Sequence, residues 1–162
     1  LAVSPAWAAS PPSAETRAFA AAAEALRASF HARADAELGD FIRKFPTSTY
    51  LPEAFLLQAQ ARIEVTNYAG ALEALIEGQK QPGMRADEFL FWEAETCLRK
   101  GDNAEAARLF GRLVQEHPTS TRRLEAVVAQ ATALARAGQW QAMATVLQQT
   151  NGVFLAAGRP RS

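Results

Sequence analysis

Few residues in this chain belong to the types that do chemistry, and their spacing does not bring them together. The single cysteine, Cys97, could serve as a nucleophile or a metal ligand as its thiolate. With no second thiol it cannot close an internal disulfide. It lies within Phe91-Trp92-Glu93-Ala94-Glu95-Thr96-Cys97-Leu98, an apolar helical run in which a small buried residue is expected. The two histidines, His31 and His117, are far apart. Neither has a histidine four residues on or a neighbouring cysteine, so no zinc-type ligand pair forms. Asp87-Glu88 comes closest to a carboxylate pair, but it opens a helix, where negative charge favours the N-terminal dipole. No Gly-rich phosphate loop and no nucleophile elbow is present. These residues call for no enzymatic activity, no metal and no cofactor.

What must be positioned, then, is a surface. The chain has 162 residues, 49% of them apolar and 21% charged, values ordinary for a globular domain. Alanine is in excess at 36, followed by 16 leucines, against 3 isoleucines and 7 valines. Few β-branched residues and many helix formers predict an all-α protein. Lys+Arg and Asp+Glu are 17 each, so the net charge is zero. That removes the usual reason to expect nucleic acid or an anionic membrane as partner. No run approaches the roughly 18 uninterrupted apolar residues of a membrane span.

Self-similarity is the strongest signal. Pro46-Thr47-Ser48-Thr49 recurs 72 residues later as Pro118-Thr119-Ser120-Thr121, and Pro82 lies midway. Glu53-Ala54 matches Glu125-Ala126, and Gln58-Ala59 matches Gln130-Ala131. Tyr68 matches Trp140, and Leu75 matches Leu147. The period is therefore about 36 residues, and each unit reads as two helices. The apolar spacing predicts helices over 14–29, 31–45, 52–65, 68–80, 87–99, 103–116, 121–136 and 140–149. Turns are expected at Thr66-Asn67, Pro82-Gly83, Lys100-Gly101-Asp102 and Ala137-Gly138-Gln139, where glycine suits a helix C-terminus. Thr47 and Ser48, and Thr119 and Ser120, are expected to cap the helices that follow them. Ala59, Ala71, Ala94, Ala106 and Ala131 supply small residues where helices cross closely.

These positions resemble the tetratricopeptide repeat family, in which a large residue, a Gly/Ala, an Ala, a Phe and a closing Pro recur in a 34-residue unit. The third unit is the best match: Ala94, Gly101-Asp102, Ala106, Phe110 and Pro118 fall at the family's positions. The second offers Ala59, Tyr68, Ala71, Leu75 and Pro82. The last offers Ala131, Gly138, Trp140 and Leu147, with Met143 in place of the usual alanine. The late first-helix aromatic is missing, since Arg62, Cys97 and Leu134 stand there. The resemblance covers roughly residues 30–150. It implies a right-handed α-α superhelix of about 3.5 repeats, with units near 14–46, 51–82, 86–118 and 121–150 inside a repeat domain 13–150.

Phe45-Pro46-Thr47-Ser48-Thr49-Tyr50-Leu51-Pro52-Glu53-Ala54 is also similar to a junction in bacterial envelope repeat proteins of the Tol-Pal coordinator and outer-membrane assembly lipoprotein types. Leu1–Ala9 ends in the small-x-small triplet Ala6-Trp7-Ala8 and reads as the remnant of a secretory signal within 1–12. A disordered Ala/Pro-rich leader is the other reading. The implied location is the periplasm, with no lipid-attachment cysteine after the site. Residues 151–162 are expected to begin a further repeat or a linker.

In the family the first helices line the concave face. The repeat phase puts Glu53, Leu56, Gln60 and Glu64 outward there, then Glu88, Phe91, Glu95 and Arg99, then Glu125, Val128, Thr132 and Arg136. The expected surface is mixed, with an apolar centre at Leu56, Phe91 and Val128, suited to an extended or helical peptide. The same apolar residues could instead be core. Trp92 and Trp140 are expected to pack rather than to cage a ligand. The family's Lys/Asn clamp for a C-terminal carboxylate is absent. The expected function is a non-catalytic scaffold that binds a protein or peptide. A self-associating solenoid, or the adaptor region of a larger enzyme, are the other readings.

Overall fold

A computed structural model describes residues 13–149. Among them the chain forms eight helices and no strand. They are α1 (Ala14–Arg27), α2 (His31–Lys44), α3 (Leu51–Glu64), α4 (Tyr68–Gln79), α5 (Ala86–Lys100), α6 (Asn103–Glu116), α7 (Arg123–Arg136) and α8 (Trp140–Gln149). All eight expected helices are present, within about two residues at each boundary. The reading of residues 1–12 as a signal or leader, and of 151–162 as a further repeat, falls outside the described residues.

Each helix packs on the next, giving four pairs: α1–α2, α3–α4, α5–α6 and α7–α8. First helices also touch across pairs, α1 on α3 and α3 on α5, whereas no two second helices pack comparably among the described residues. The stack therefore closes along the first helices and opens along the second, which makes the α1–α3–α5–α7 side the inner face of an α-α solenoid. No described helix is long and apolar enough to cross a membrane.

The tight reversals fall where the backbone allows them. Gly83, Gly101 and Gly138 have φ of +77°, +96° and +74°, a region glycine enters without the Cβ penalty. Ser29 and Thr66 take the same left-handed conformation without that freedom. Two N-caps are conventional: Ser13 Oγ accepts from Thr16 N, and Asn67 Oδ1 accepts from Gly70 N.

The expected caps at the prolines are corrected. No side chain caps α3 or α7. Instead Ser48 Oγ accepts from Tyr50 N at 3.0 Å, and Ser120 Oγ accepts from Arg122 N at 3.1 Å. The hydroxyls fold the turn that leads into each helix, a local side-chain–backbone bond competing with helical capping.

Alanine is used as expected. Ala59, Ala71, Ala94, Ala106 and Ala131 are all buried. Three core clusters follow one another along the stack, each shared between neighbouring pairs: one around Leu38 and Phe41, one around Ile63, Leu75 and Phe89, and one around Phe110 and Leu113. A part-buried polar knot ties the first pair to the second. Gln58 Nε2 and Arg62 Nε both donate to Asp35 Oδ1 at 2.9 Å, and Arg62 Nη1 donates to the Gly70 carbonyl at 2.8 Å. One side chain from α3 thus fixes α2 and α4 together.

Candidate interaction surface

The inner face is built by the exposed edges of α3, α5 and α7. On α3, Glu53 and Glu64 are exposed and Gln60 is half-buried. On α5, Glu88 and Glu95 are half-buried and Arg99 is exposed. On α7, Glu125, Val128, Thr132 and Arg136 are exposed. These ten side chains all reach solvent.

Two do not. Leu56 is 4% exposed and Phe91 3%. Both are core, so the expected apolar centre is corrected: of its three residues only Val128, at 49%, reaches solvent. The cause is the neighbouring unit. Leu56 is sealed in one cluster with Leu75, Phe89 and the flanking Met84 and Trp92. Phe91 joins the next cluster, edge-on to Phe110 at 5.7 Å, and the Arg122 guanidinium lies over its ring at 4.7 Å.

Charges on this face are already joined across helices. Arg99 Nε donates to Glu95 Oε1 at 2.8 Å, and Arg99 Nη1 reaches Glu64 Oε1 on α3 at 2.9 Å. Arg122 Nε approaches Glu88 Oε2 on α5 at 3.3 Å, while its Nη1 donates to Glu125 Oε2 on α7 at 2.8 Å. Each arginine spans two first helices. The hydrogen bond to Glu95 is the main cause that holds the Arg99 guanidinium above its ordinary pKa. Behind Arg122, Ser120 Oγ donates to Asp87 Oδ2 at 2.6 Å and draws that carboxyl below its ordinary value.

Sequence reasoning missed Arg122 and Asp87 as parts of this surface. The signal was available in the 72-residue register. Tyr50 and Phe19 stand 72 residues before Arg122 and Phe91, and their rings stack at 4.8 Å. The same junction is closed by a stacked aromatic pair in the first copy and a cation over an aromatic in the second.

Cys97 is buried, and burial is the main cause that pushes its thiol pKa up. Among the described residues no three His, Cys, Asp or Glu side chains gather closely enough to hold a metal. Trp92 packs between two core clusters, as expected. Trp140 does not pack: it is 63% exposed.

No curated protein matches the chain. The family model that does match, tetratricopeptide repeat, covers residues 88–120, from Glu88 on α5 through all of α6 to Ser120. Those residues span the inter-helix turn at Gly101, the crossing at Ala106 and the closing Pro118, so over this stretch the third helix pair is similar to a tetratricopeptide repeat.

Proposed function

We propose that this chain is a non-catalytic scaffold that binds an extended or helical segment of a partner protein along its inner face. The observation that carries the reading is the set of solvent-accessible polar and charged side chains from Glu53 to Arg136 on successive first helices. Repeat stacks of this kind place an extended concave surface opposite a partner. The set holds five carboxylates (Glu53, Glu64, Glu88, Glu95, Glu125) and three guanidiniums (Arg99, Arg122, Arg136). Its excess of negative charge suits a segment bearing lysine or arginine among amide and small apolar side chains. Export to a bacterial envelope is part of the proposal. It is supported by the signal-like residues 1–9 and the Phe45–Ala54 junction.

Site-specific photo-crosslinking in the native host tests this. A photoreactive side chain at Gln60 or Thr132 is expected to give discrete adducts in the envelope fraction. Probes at Glu73 or Arg108, on second helices, are expected to give none. Adducts confined to the second-helix probes would overturn the inner face as the site. Adducts confined to the cytosol would overturn the envelope placement.

A further inference from the structure

Among the described residues, second helices make no contact with one another comparable to that between successive helices. Space therefore remains on the outer side of the stack, between the C-terminal ends of α4 and α6 and over the start of α5. It forms a groove of 330 Å³, close to the lower size of sites that take small groups, about 300 Å³. Met84 and Leu90 supply its apolar wall, and Gln79, Glu93, Arg112 and Glu116 its polar one. With His117 at the edge neutral, two carboxylates against one guanidinium leave the lining with one negative charge in excess.

Glu93 is the source of that excess. It stands one residue before the crossing alanine Ala94, a place held by Gln58 before Ala59 and by Gln130 before Ala131. Gln58 is 5% exposed, and its amide donates to Asp35 Oδ1 on the preceding second helix at 2.9 Å. A carboxylate at that place can only accept. From its own preceding second helix Glu93 receives a single long bond, Gln79 Nε2 to Oε2 at 3.5 Å, beyond the ~3.2 Å of a good N–H···O contact. The arginines within electrostatic reach are engaged elsewhere, Arg108 with Glu105 at 2.6 Å and Arg112 with Glu116 at 3.1 Å. A half-buried carboxylate so thinly paired gains most from a cation brought to it.

We propose that this outer groove takes one basic side chain of a partner protein, preferably arginine, with its head on Glu93 and its stem along Leu90 and Met84. Charge and shape both select it. One cation cancels the excess charge of the lining. An arginine fork can meet a carboxylate through two parallel bonds, and its methylene stem covers apolar surface while the head stays wet. Leu90 and Met84, both packed into the core on their far sides, offer that surface. An acidic or purely apolar segment would desolvate Glu93 without pairing it. The groove shares no residue with the inner face, so this inference stands apart from the proposed function. Glu73 and Arg108, the second-helix crosslinking positions, do not line it.

An NMR titration of the isotope-labelled full chain with the blocked tripeptide acetyl-Ala-Arg-Ala-amide tests the proposal. Saturable shifts are expected at the Gln79, Leu90, Glu93 and Glu116 amides, with an affinity in the millimolar range that falls about fivefold in Glu93→Gln. Glutamine already holds this place in α3 and α7, so the substitution suits the fold. Glu73→Gln, which removes the same charge from α4 outside the groove, is expected to bind as the wild type does. The same peptide with citrulline, an uncharged match in shape, is expected to give no saturable shift. Absence of shifts with the arginine peptide, equal binding of the citrulline peptide, or equal affinity of Glu93→Gln would each overturn the proposal. Equal weakening by Glu73→Gln would overturn it in favour of diffuse charge attraction. Agmatine binding more tightly than the tripeptide would overturn the partner side chain in favour of a free amine.

Discussion

Gly78 and Gly39 offer the same chemical change in two surroundings, and the outcome separates packing from backbone propensity. Gly39 lies in the middle of α2, where Gly→Ala stabilises a helix by about 0.5–1 kcal/mol. A Cβ there would approach Gln58 Nε2 at 3.3 Å and the Arg43 guanidinium at 3.5 Å. The exposed Arg43 end can yield, whereas Gln58 Nε2 is buried and bonded to Asp35 and must give a few tenths of an ångström within that bond, which trims the gain. Gly78 lies in the last turn of α4, where the propensity gain shrinks to roughly a few tenths of a kcal/mol. Its Cβ would stand 2.4 Å and 2.7 Å from ring atoms of Phe89, and 2.7 Å from Cβ of Phe55. Phe89 is 1% exposed and cannot swing away. A Cβ atom moves only with its backbone, so α4 must back off from both α3 and α5.

Overpacking of this kind costs about 1–3 kcal/mol. The net expectation for Gly78→Ala is therefore a destabilisation of about 1–2.5 kcal/mol, and for Gly39→Ala a small stabilisation, up to about 0.5 kcal/mol. At this chain length 1 kcal/mol corresponds to about 2–4 °C in Tm. Thermal melts followed by circular dichroism give the signs directly. The reasoning is refuted if Gly78→Ala raises Tm as Gly39→Ala does, because Phe89 would then not be pressed against α4.

Other positions follow the same logic. Ala106→Leu overpacks the α5–α6 crossing and is expected to cost on the order of 1–3 kcal/mol in a denaturant titration. An unchanged midpoint would misplace that crossing. Arg122→Ala loses the bonds to Glu88 and Glu125 and uncovers Phe91, for an expected loss of about 1–2 kcal/mol. Arg122→Tyr, copying the Tyr50–Phe19 stack, is expected to recover part of that loss; no recovery would break the equivalence of the two junctions. Ser120→Ala removes the bond that depresses Asp87. A depressed carboxyl pKa stabilises the fold above its unfolded value, near 4, and that stabilisation is lost as pH falls through the folded value. After allowance for partial exposure, the deficit is expected to be about 1 kcal/mol at pH 7. It should fade in urea titrations repeated below pH 4, and a deficit independent of pH would remove Asp87 from the explanation. Cys97 is expected to resist alkylation at pH 8 until the chain is unfolded; rapid modification of native protein, read by mass spectrometry, contradicts its burial.

The helices were legible because each carries its own signal. Apolar spacing marks the faces of α5 and α6, glycine marks Gly101 and Gly138, and the recurring Pro-Thr-Ser-Thr marks the junctions. Alanines at the crossings were legible for the same reason, since a small residue at fixed phase has one geometric use. The inner face was only partly legible. Repeat phase assigns Leu56 and Phe91 to the outward set, but they are buried, because Phe89 and Arg122 arrive from the next unit. A pattern read within one helix cannot weigh a contact made between units. The turn at Thr66 was expected from its polar residues. Its left-handed backbone was not, because threonine rarely adopts it.

The ion clusters of the inner face bear on how a partner could be recognised. A free carboxylate on a surface attracts a cation at little cost, but Glu64, Glu95, Glu88 and Glu125 each already hold an arginine. A basic partner side chain gains only the difference between the new pair and the one it displaces, and exposed pairs are worth ~0–1 kcal/mol. Displacing Arg99 or Arg122 also loosens the contact between two first helices. Binding through these carboxylates is therefore coupled to the spacing of α3, α5 and α7, and hence to the curvature of the stack. Glu53 and Gln60 lack that constraint. They can exchange water for a ligand without breaking a helix–helix link, which makes the N-terminal half of the face the better place for strong, specific contacts. Glu53→Lys is accordingly expected to weaken partner capture more than Glu95→Gln, at equal Tm. The reverse order would mean that binding works by opening the arginine bridges.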